Sequence, residues 1–210
     1  MDGARNNLVN VNQWNDTYAT KGVNQRSWTQ EVPTDSLFYI DALDLPRDAP
    51  IIDIGGGSSK LVDELLTRSF TDLSVLDISS TAIHEAQGRV NAERVQWLLD
   101  DITRWQPTRQ YALWHDRAVF HFLVHRDQQL GYVGTAASSV MPGGHVLLAT
   151  FAPSGPQECS GLAVHRWVSD ELAELFCENF TLITSDLREH VTPWGSCQPF
   201  TWALLQRRAD

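Results

Sequence analysis

The chain has 210 residues, 42% of them hydrophobic and 20% charged, with a formal net charge of −10. This fits one globular domain over 1–210 with a full core. It argues against a nucleic-acid-backbone binder, which would carry a basic face; net charge leaves room for a local basic patch, but Arg207-Arg208 is too short to make one. The three cysteines, Cys159, Cys177 and Cys197, form no CxxC pair and read as free thiols of a reducing compartment. No apolar leader opens the sequence, and no run nears the ~20 apolar residues that span a bilayer. The expectation is a soluble cytoplasmic protein, a monomer or homodimer, with no nucleic-acid or membrane partner.

Residues 1–49 are polar and carry Trp14, Tyr18 and Trp28. They read as an N-terminal cap of one or two helices over the rim of a sheet. From residue 50, apolar runs alternate with amphipathic stretches. Ile51–Ile54 is a first strand. A helix follows near 59–68, with Leu61, Val62, Leu65 and Leu66 on one face. Leu73–Leu76 is a second strand ending at Asp77, and Ser79 or Ser80 caps a helix running toward Gly88. Val95–Leu99 and Tyr111–Trp114 are the third and fourth strands. A helix near 127–140 turns Leu130, Val133, Ala137 and Val140 inward until Met141-Pro142-Gly143-Gly144 stops it, and His145–Phe151 is the fifth strand. Such alternation predicts an α/β fold, a doubly wound and mostly parallel sheet covered on both faces. Residues 180–191 and 198–207 then follow as two strands without a helix between them, an antiparallel addition at one edge.

Ligands of open parallel sheets bind beyond the carboxyl ends of the strands. The turn Ile51-Ile52-Asp53-Ile54-Gly55-Gly56-Gly57-Ser58-Ser59 is therefore the prime site. A dinucleotide turn needs G-x-G-x-x-G, and here Lys60 occupies the third glycine's place. A phosphate loop needs Gly-Lys-Ser/Thr, and Lys60 is flanked by Ser59 and Leu61. S-adenosyl-L-methionine carries no phosphate. It needs a close backbone turn, an acid for the ribose hydroxyls and a polar group near the adenine. Asp77 and Asp101, at the ends of the second and third strands, have the chemistry for the last two tasks. Read alone, Asp77 also suits a helix cap.

These residues resemble the class I, seven-stranded S-adenosylmethionine-dependent methyltransferases over residues 50–151. IIDIGGGSS is similar to their first motif, with Ser59 where a glycine is common. VLDIS, LLDDI and YALWHDRAVFHFL are similar to the second, third and fourth, and MPGGHVLLATF to the segment around their fifth strand. The resemblance implies a Rossmann-like sheet whose last strand is inserted antiparallel. It also implies cofactor contacts at Asp53, Gly55, Gly56, Gly57, Asp77, Ile78, Asp101, Ile102 and His115. Trp14 and Trp28 either cover the cofactor, where a sulfonium gains from an aromatic face, or pack the cap onto the sheet.

The acceptor side follows the fourth strand. Trp114-His115-Asp116-Arg117 replaces the Asn/Asp-Pro-Pro-Tyr of nucleic-acid amine methyltransferases, which argues against that subclass. His115 and His121 can act as bases, with Asp116 orienting one of them; as a bland alternative, His121 and His125 pack in the core. His121 and His125 share a face if helical. No HExxH is present and the cysteines lie far off in sequence, so no metal is expected. Cys159 lies on the long loop 151–167, either as a pocket thiol or as a small buried group. His190 and Trp194, in the turn between the last strands, are placed to close a pocket. Partial likenesses point two ways, to tellurite-resistance and thiol methyltransferases and to elongation-factor lysine methyltransferases. The favoured acceptor is a small nucleophile such as a thiol or other soft atom.

Overall fold

A computed structural model describes residues 11–209. The cap holds two helices, α1 (Val11–Thr20) and α2 (Thr34–Ala42). Then come β1 (Ile51–Ile54), α3 (Leu61–Thr67), β2 (Leu73–Asp77), α4 (Ser80–Gln87), β3 (Val95–Leu99), β4 (Tyr111–Arg117), α5 (Arg126–Ser139) and β5 (Val140–Phe151). A two-stranded hairpin of β6 (Glu158–Cys159) and β7 (Leu162–Ala163) leads to α6 (Ser169–Phe176), and β8 (Phe180–Val191) and β9 (Cys197–Arg207) end the chain.

One seven-stranded sheet runs β3-β2-β1-β4-β5-β9-β8. Strands β1 to β5 are parallel, whereas β9 pairs antiparallel with both β5 and β8. This is the mostly parallel, Rossmann-like architecture with an antiparallel edge. Its central strands are buried on both faces, so neighbouring residues feed opposite layers. Ile52, Trp114, Leu148 and Leu205 join a core beneath α5 and α6. Ile51, Leu113, Leu147 and Leu204 join the other, with Leu37 and Ile40 of α2 and Leu61 and Leu65 of α3. Helix α4 starts as expected: the Ser79 hydroxyl accepts the Ala82 N–H.

Four expectations are corrected. Strand β4 continues three residues beyond Trp114, because His115 and Asp116 are buried and paired by the ladder to β5. The inward face of α5 is Gln129, Tyr132, Val133, Ala136 and Ser139, while Leu130 stands exposed. The helix is rotated by the aromatic pairing of Tyr132 with Trp114 and Phe120. The loop 151–167 holds the β6–β7 hairpin, and α6 after it lay outside the sequence expectation. His121 and His125 do not share a helix: the first sits in a 3₁₀ turn, Phe120–Phe122, and the second precedes α5.

The cap is fastened over the ends of β1 and β2. Asn15 Oδ1 accepts the Ser79 hydroxyl at 2.8 Å and the Thr81 N–H at 3.3 Å. Arg26, almost fully buried, pairs with Glu85 of α4 at 2.8 Å. Among the described residues no helix is long and apolar enough to cross a membrane.

Candidate active site

At the end of β1 the chain must turn sharply under α4 and β4. Gly55 has φ +65°, and a Cβ there would fall onto the Val119 side chain. A Cβ at Gly57 would fall onto Asp77 Oδ2 and the Ala82 methyl. The turn is thus held against both neighbouring strand ends, and Gly56 passes equally close over the Asp53 carboxylate. Ala118, just past β4, has φ +76°; this uncommon conformation carries the chain from β4 to Val119, against the turn.

Beyond the turn lies an open cleft of about 780 Å³ including its mouth. One end is formed by Gly55, Leu76, Asp77, Ile78, Asp100, Asp101 and Ile102. Asp77 is buried and accepts the Ser79 N–H at 2.7 Å. Burial pushes its pKa up to about 7, against the pull of backbone donors from Ser79, Gly57 and Ile78, while the Asp53 charge adds to the rise. Asp101 accepts from the Thr103 N–H and hydroxyl at 2.9 and 2.7 Å. The rest of the wall is largely aromatic. Trp14, Tyr18, Trp28 and Phe122 line it, with ring centroids 5.4–6.4 Å apart between neighbours. Arg117, Ala118, Val119, Leu123 and Cys159 complete it.

The expected catalytic residues are divided by this geometry. Cys159 lines the cleft, and burial pushes its thiol up to about 11. The thiol form therefore prevails near neutral pH, which does not suit a nucleophile or base. His115, Asp116 and His121 lie beneath the cleft, outside its wall. His115 Nδ1 donates to Asp53 Oδ1 at 2.6 Å, and its Nε2 shares a hydrogen bond with the Ser36 hydroxyl at 2.9 Å. All three residues are buried, and the chain ties β4, β1 and α2 together. Asp116 accepts the Tyr132 hydroxyl at 2.6 Å and the Val119 and Phe120 N–H groups at 2.9 and 3.1 Å. Tyr132 in turn accepts the Trp114 N–H at 2.7 Å. Burial holds Asp116 at about 6 despite these donors.

His121 is fully buried between Phe122 and Phe151, with both ring nitrogens unpartnered. Burial, reinforced by the Arg117 charge, pushes its pKa down to about 3, so it stays neutral. His190 donates to the Ser27 carbonyl, and Trp194 projects into solvent; neither lines the cleft. Among the described residues no three His, Cys, Asp or Glu side chains are grouped to hold a metal ion.

The sequence reading passed over Tyr18, Arg117 and Phe122 as wall residues. Arg117 had a signal, since it is the outward end of the fourth motif. Tyr18 follows Trp14 by one helical turn and faces the same way.

The description "methyltransferase domain" matches residues 26–195. A malonyl-[acyl-carrier protein] O-methyltransferase of Ilyobacter polytropus is 26% identical over 103 residues, 48% of this chain and 39% of that protein. The chain thus spans about two fifths of the length of the curated relative it matches. Among solved structures, the Burkholderia thailandensis 1,6-didemethyltoxoflavin-N1-methyltransferase, with its substrate and S-adenosylhomocysteine bound, superposes with a TM-score of 0.77 at 17% identity, over all of this chain and 92% of that one. A structure solved for the conversion of a disulfide bond into a thioacetal group in echinomycin biosynthesis has a TM-score of 0.74 at 16% identity, covering 95% of this chain and 93% of the other. The family match, the sheet order and the glycine turn agree: this chain belongs to the methyltransferase-domain family and has the class I fold of S-adenosylmethionine-dependent enzymes.

Proposed function

We propose that the chain transfers the methyl group of S-adenosyl-L-methionine to a small-molecule nucleophile. The observation that carries this reading is the cleft itself. A glycine turn and two strand-end carboxylates form one end, and an aromatic wall with a single cation forms the other. Asp77 is placed to accept the ribose hydroxyls, Asp101 and Ile102 to border the adenine, and Trp14, Tyr18 and Trp28 to face the sulfonium. The residues present fit this cofactor. Asp53 and His115 fix the turn from below, and Asp116 fixes the 3₁₀ segment that brings Phe122 to the wall.

The bound cofactor supplies an electrophilic methyl carbon. The protein's part is to align the acceptor with it and to keep water out. At the acceptor end the titratable wall groups are Tyr18, Arg117 and Cys159. Burial raises the first and last above their ordinary ranges. None of them serves as a base near neutral pH, so the acceptor arrives with its lone pair already free, as a thiolate, another soft anion or a carboxylate does. The relatives' names span oxygen, nitrogen and disulfide chemistry. They support a small acceptor without fixing its atom.

The test is incubation with methyl-labelled S-adenosylmethionine and a panel of small thiols, selenide, tellurite and carboxylic acids. Label should move to a small molecule with S-adenosylhomocysteine released in equal amount. Label found instead on a protein of a cell lysate, with none on any small acceptor, would favour protein-lysine methylation and sink this reading.

A further inference from the structure

Among the described residues Arg117 is the one cation on the wall of the cleft, and its bonding is incomplete. Its Nη2 donates to the Trp28 carbonyl at 2.7 Å. Its Nη1 is buried and has no partner among the described residues. A guanidinium keeps its charge and offers five donors in a fixed fork, and in this half-buried side chain the Nη1 donors are shut off from solvent without a partner among the described residues. Burial pushes its pKa down, while Asp53, Tyr18, Asp35 and Cys159 act on it from β1, α1, α2 and β6. No carboxylate forms an ion pair with it among the described residues.

The surrounding cations differ. Arg117 also borders a second, more polar cavity with Trp28, Thr29, Gln30, Ser58, Ser59, Lys60, Glu85 and Arg89. There Lys60 pairs with Glu31 at 2.7 Å and Arg89 with Asp63 at 3.1 Å. Arg26 close by pairs with Glu85. Each has an ion-pair partner, and among the described residues Arg117 alone of these four has none. Gln30 Oε1, on the same cavity, is likewise buried and unpartnered.

We infer that Arg117, with its free Nη1, is a specificity-determining residue that receives a carboxylate of the methyl acceptor where the two cavities meet. This rests on the cofactor assignment above. The position suits it: Arg117 stands at the end of the cleft away from Asp101, beside Trp28 and Cys159, where the acceptor must approach. The charge suits it as well. A sulfonium in the same cleft adds a second positive centre, and an acceptor carboxylate answers both. An unmet donor at Arg117 and an unmet acceptor at Gln30 together favour a carboxylate flanked by a hydroxyl or amino group. The cofactor's own methionyl carboxylate has the same chemistry, so the experiment must separate the two sources.

The protein is saturated with S-adenosylhomocysteine, and binding of matched probes is followed by ligand-observed NMR: 3-mercaptopropionate against 3-mercaptopropionamide, and phenylacetate against phenylacetamide. The carboxylates should bind at least about tenfold more tightly than their amides, the scale of a charge-assisted hydrogen bond. Arg117→Gln should abolish that preference, Arg117→Lys should retain part of it, and S-adenosylhomocysteine affinity should stay within about twofold in both. Equal binding of acid and amide to the unaltered protein, or binding of neither, overturns the inference without needing any variant. A tenfold loss of S-adenosylhomocysteine affinity in Arg117→Gln also overturns it, by giving the guanidinium to the cofactor. Failure of the unaltered protein to bind S-adenosylhomocysteine would instead defeat the cofactor assignment.

Discussion

The two ends of the cleft are built differently. At the β1–β3 end, each contributing residue sits at or just past the end of a parallel strand, and its neighbours in the chain fix it. Gly55 turns because its φ is positive, and Asp77 is gripped by the Ser79 N–H two residues on. At the β4 end, the wall draws on α1, the segment before α2, β4, the 3₁₀ turn and the β6–β7 hairpin, so Trp14 and Cys159 meet there from 145 positions apart in the chain. The first end is local geometry repeated strand by strand; the second is an assembly. Local geometry is what a short motif encodes, and so the cofactor is easier to read than the acceptor.

The largest expected effect lies in the layer supporting both ends. His115→Ala leaves the Asp53 carboxylate buried without its donor, and removing one partner of such a pair costs about 3–5 kcal/mol. Urea unfolding should show that loss. Destabilisation below about 1 kcal/mol would mean that Asp53 finds another donor and that the layer is not shared.

Next comes Asp77→Asn, which should weaken S-adenosylhomocysteine binding by about 1.5–3 kcal/mol in calorimetric titration, the scale of hydrogen bonds to a charged group. Its pH dependence is the sharper signature. The folded pKa of about 7 lies above the ordinary value near 4. The folded state therefore binds the extra proton between those limits, and this contribution to stability is present below about pH 4 and lost as pH rises to about 7. Melting curves of the ligand-free protein should show it, and Asp77→Asn should flatten it. On the proposed ribose contact, cofactor affinity runs the opposite way: ribose hydroxyls would favour the ionised carboxylate, so binding should weaken as pH falls below about 7.

Gly57→Ala should lower S-adenosylhomocysteine affinity by about 1–3 kcal/mol, because the new methyl must displace Asp77 or α4. An unchanged affinity would show that the turn yields and that this end is less rigid than its contacts suggest. The smallest effect belongs to Trp194→Ser. This exposed side chain lies away from the cleft, and both stability and cofactor affinity should stay within about 0.5 kcal/mol. A clear loss of acceptor turnover there would extend the assembled end to the β8–β9 turn.

The histidines and the face of α5 are set by contacts between distant segments. Histidines at 115 and 121 look alike in the chain, both beside the fourth motif. The register of β4 sends His115 to Asp53 and Ser36, while the 3₁₀ turn buries His121 between two phenylalanines. Leu130 appeared to face inward by spacing, yet the polar and aromatic partners of Tyr132 set the rotation of α5. A count of apolar positions does not contain such pairings.

The sequence by itself determined the strand and helix order from β1 to β5, the antiparallel ending, and the turn and acids at the first three strand ends. Those follow from period, propensity and position on a single element, which neighbouring residues carry. Tertiary structure alone decided that His115, His121 and His190 lie off the cleft wall, that Tyr18 and Phe122 join its aromatic part, and that the Arg117 guanidinium keeps a donor unpartnered among the described residues. Each of these depends on segments distant in the chain arriving at the same place, and on burial, which only the packed sheet and its cap define.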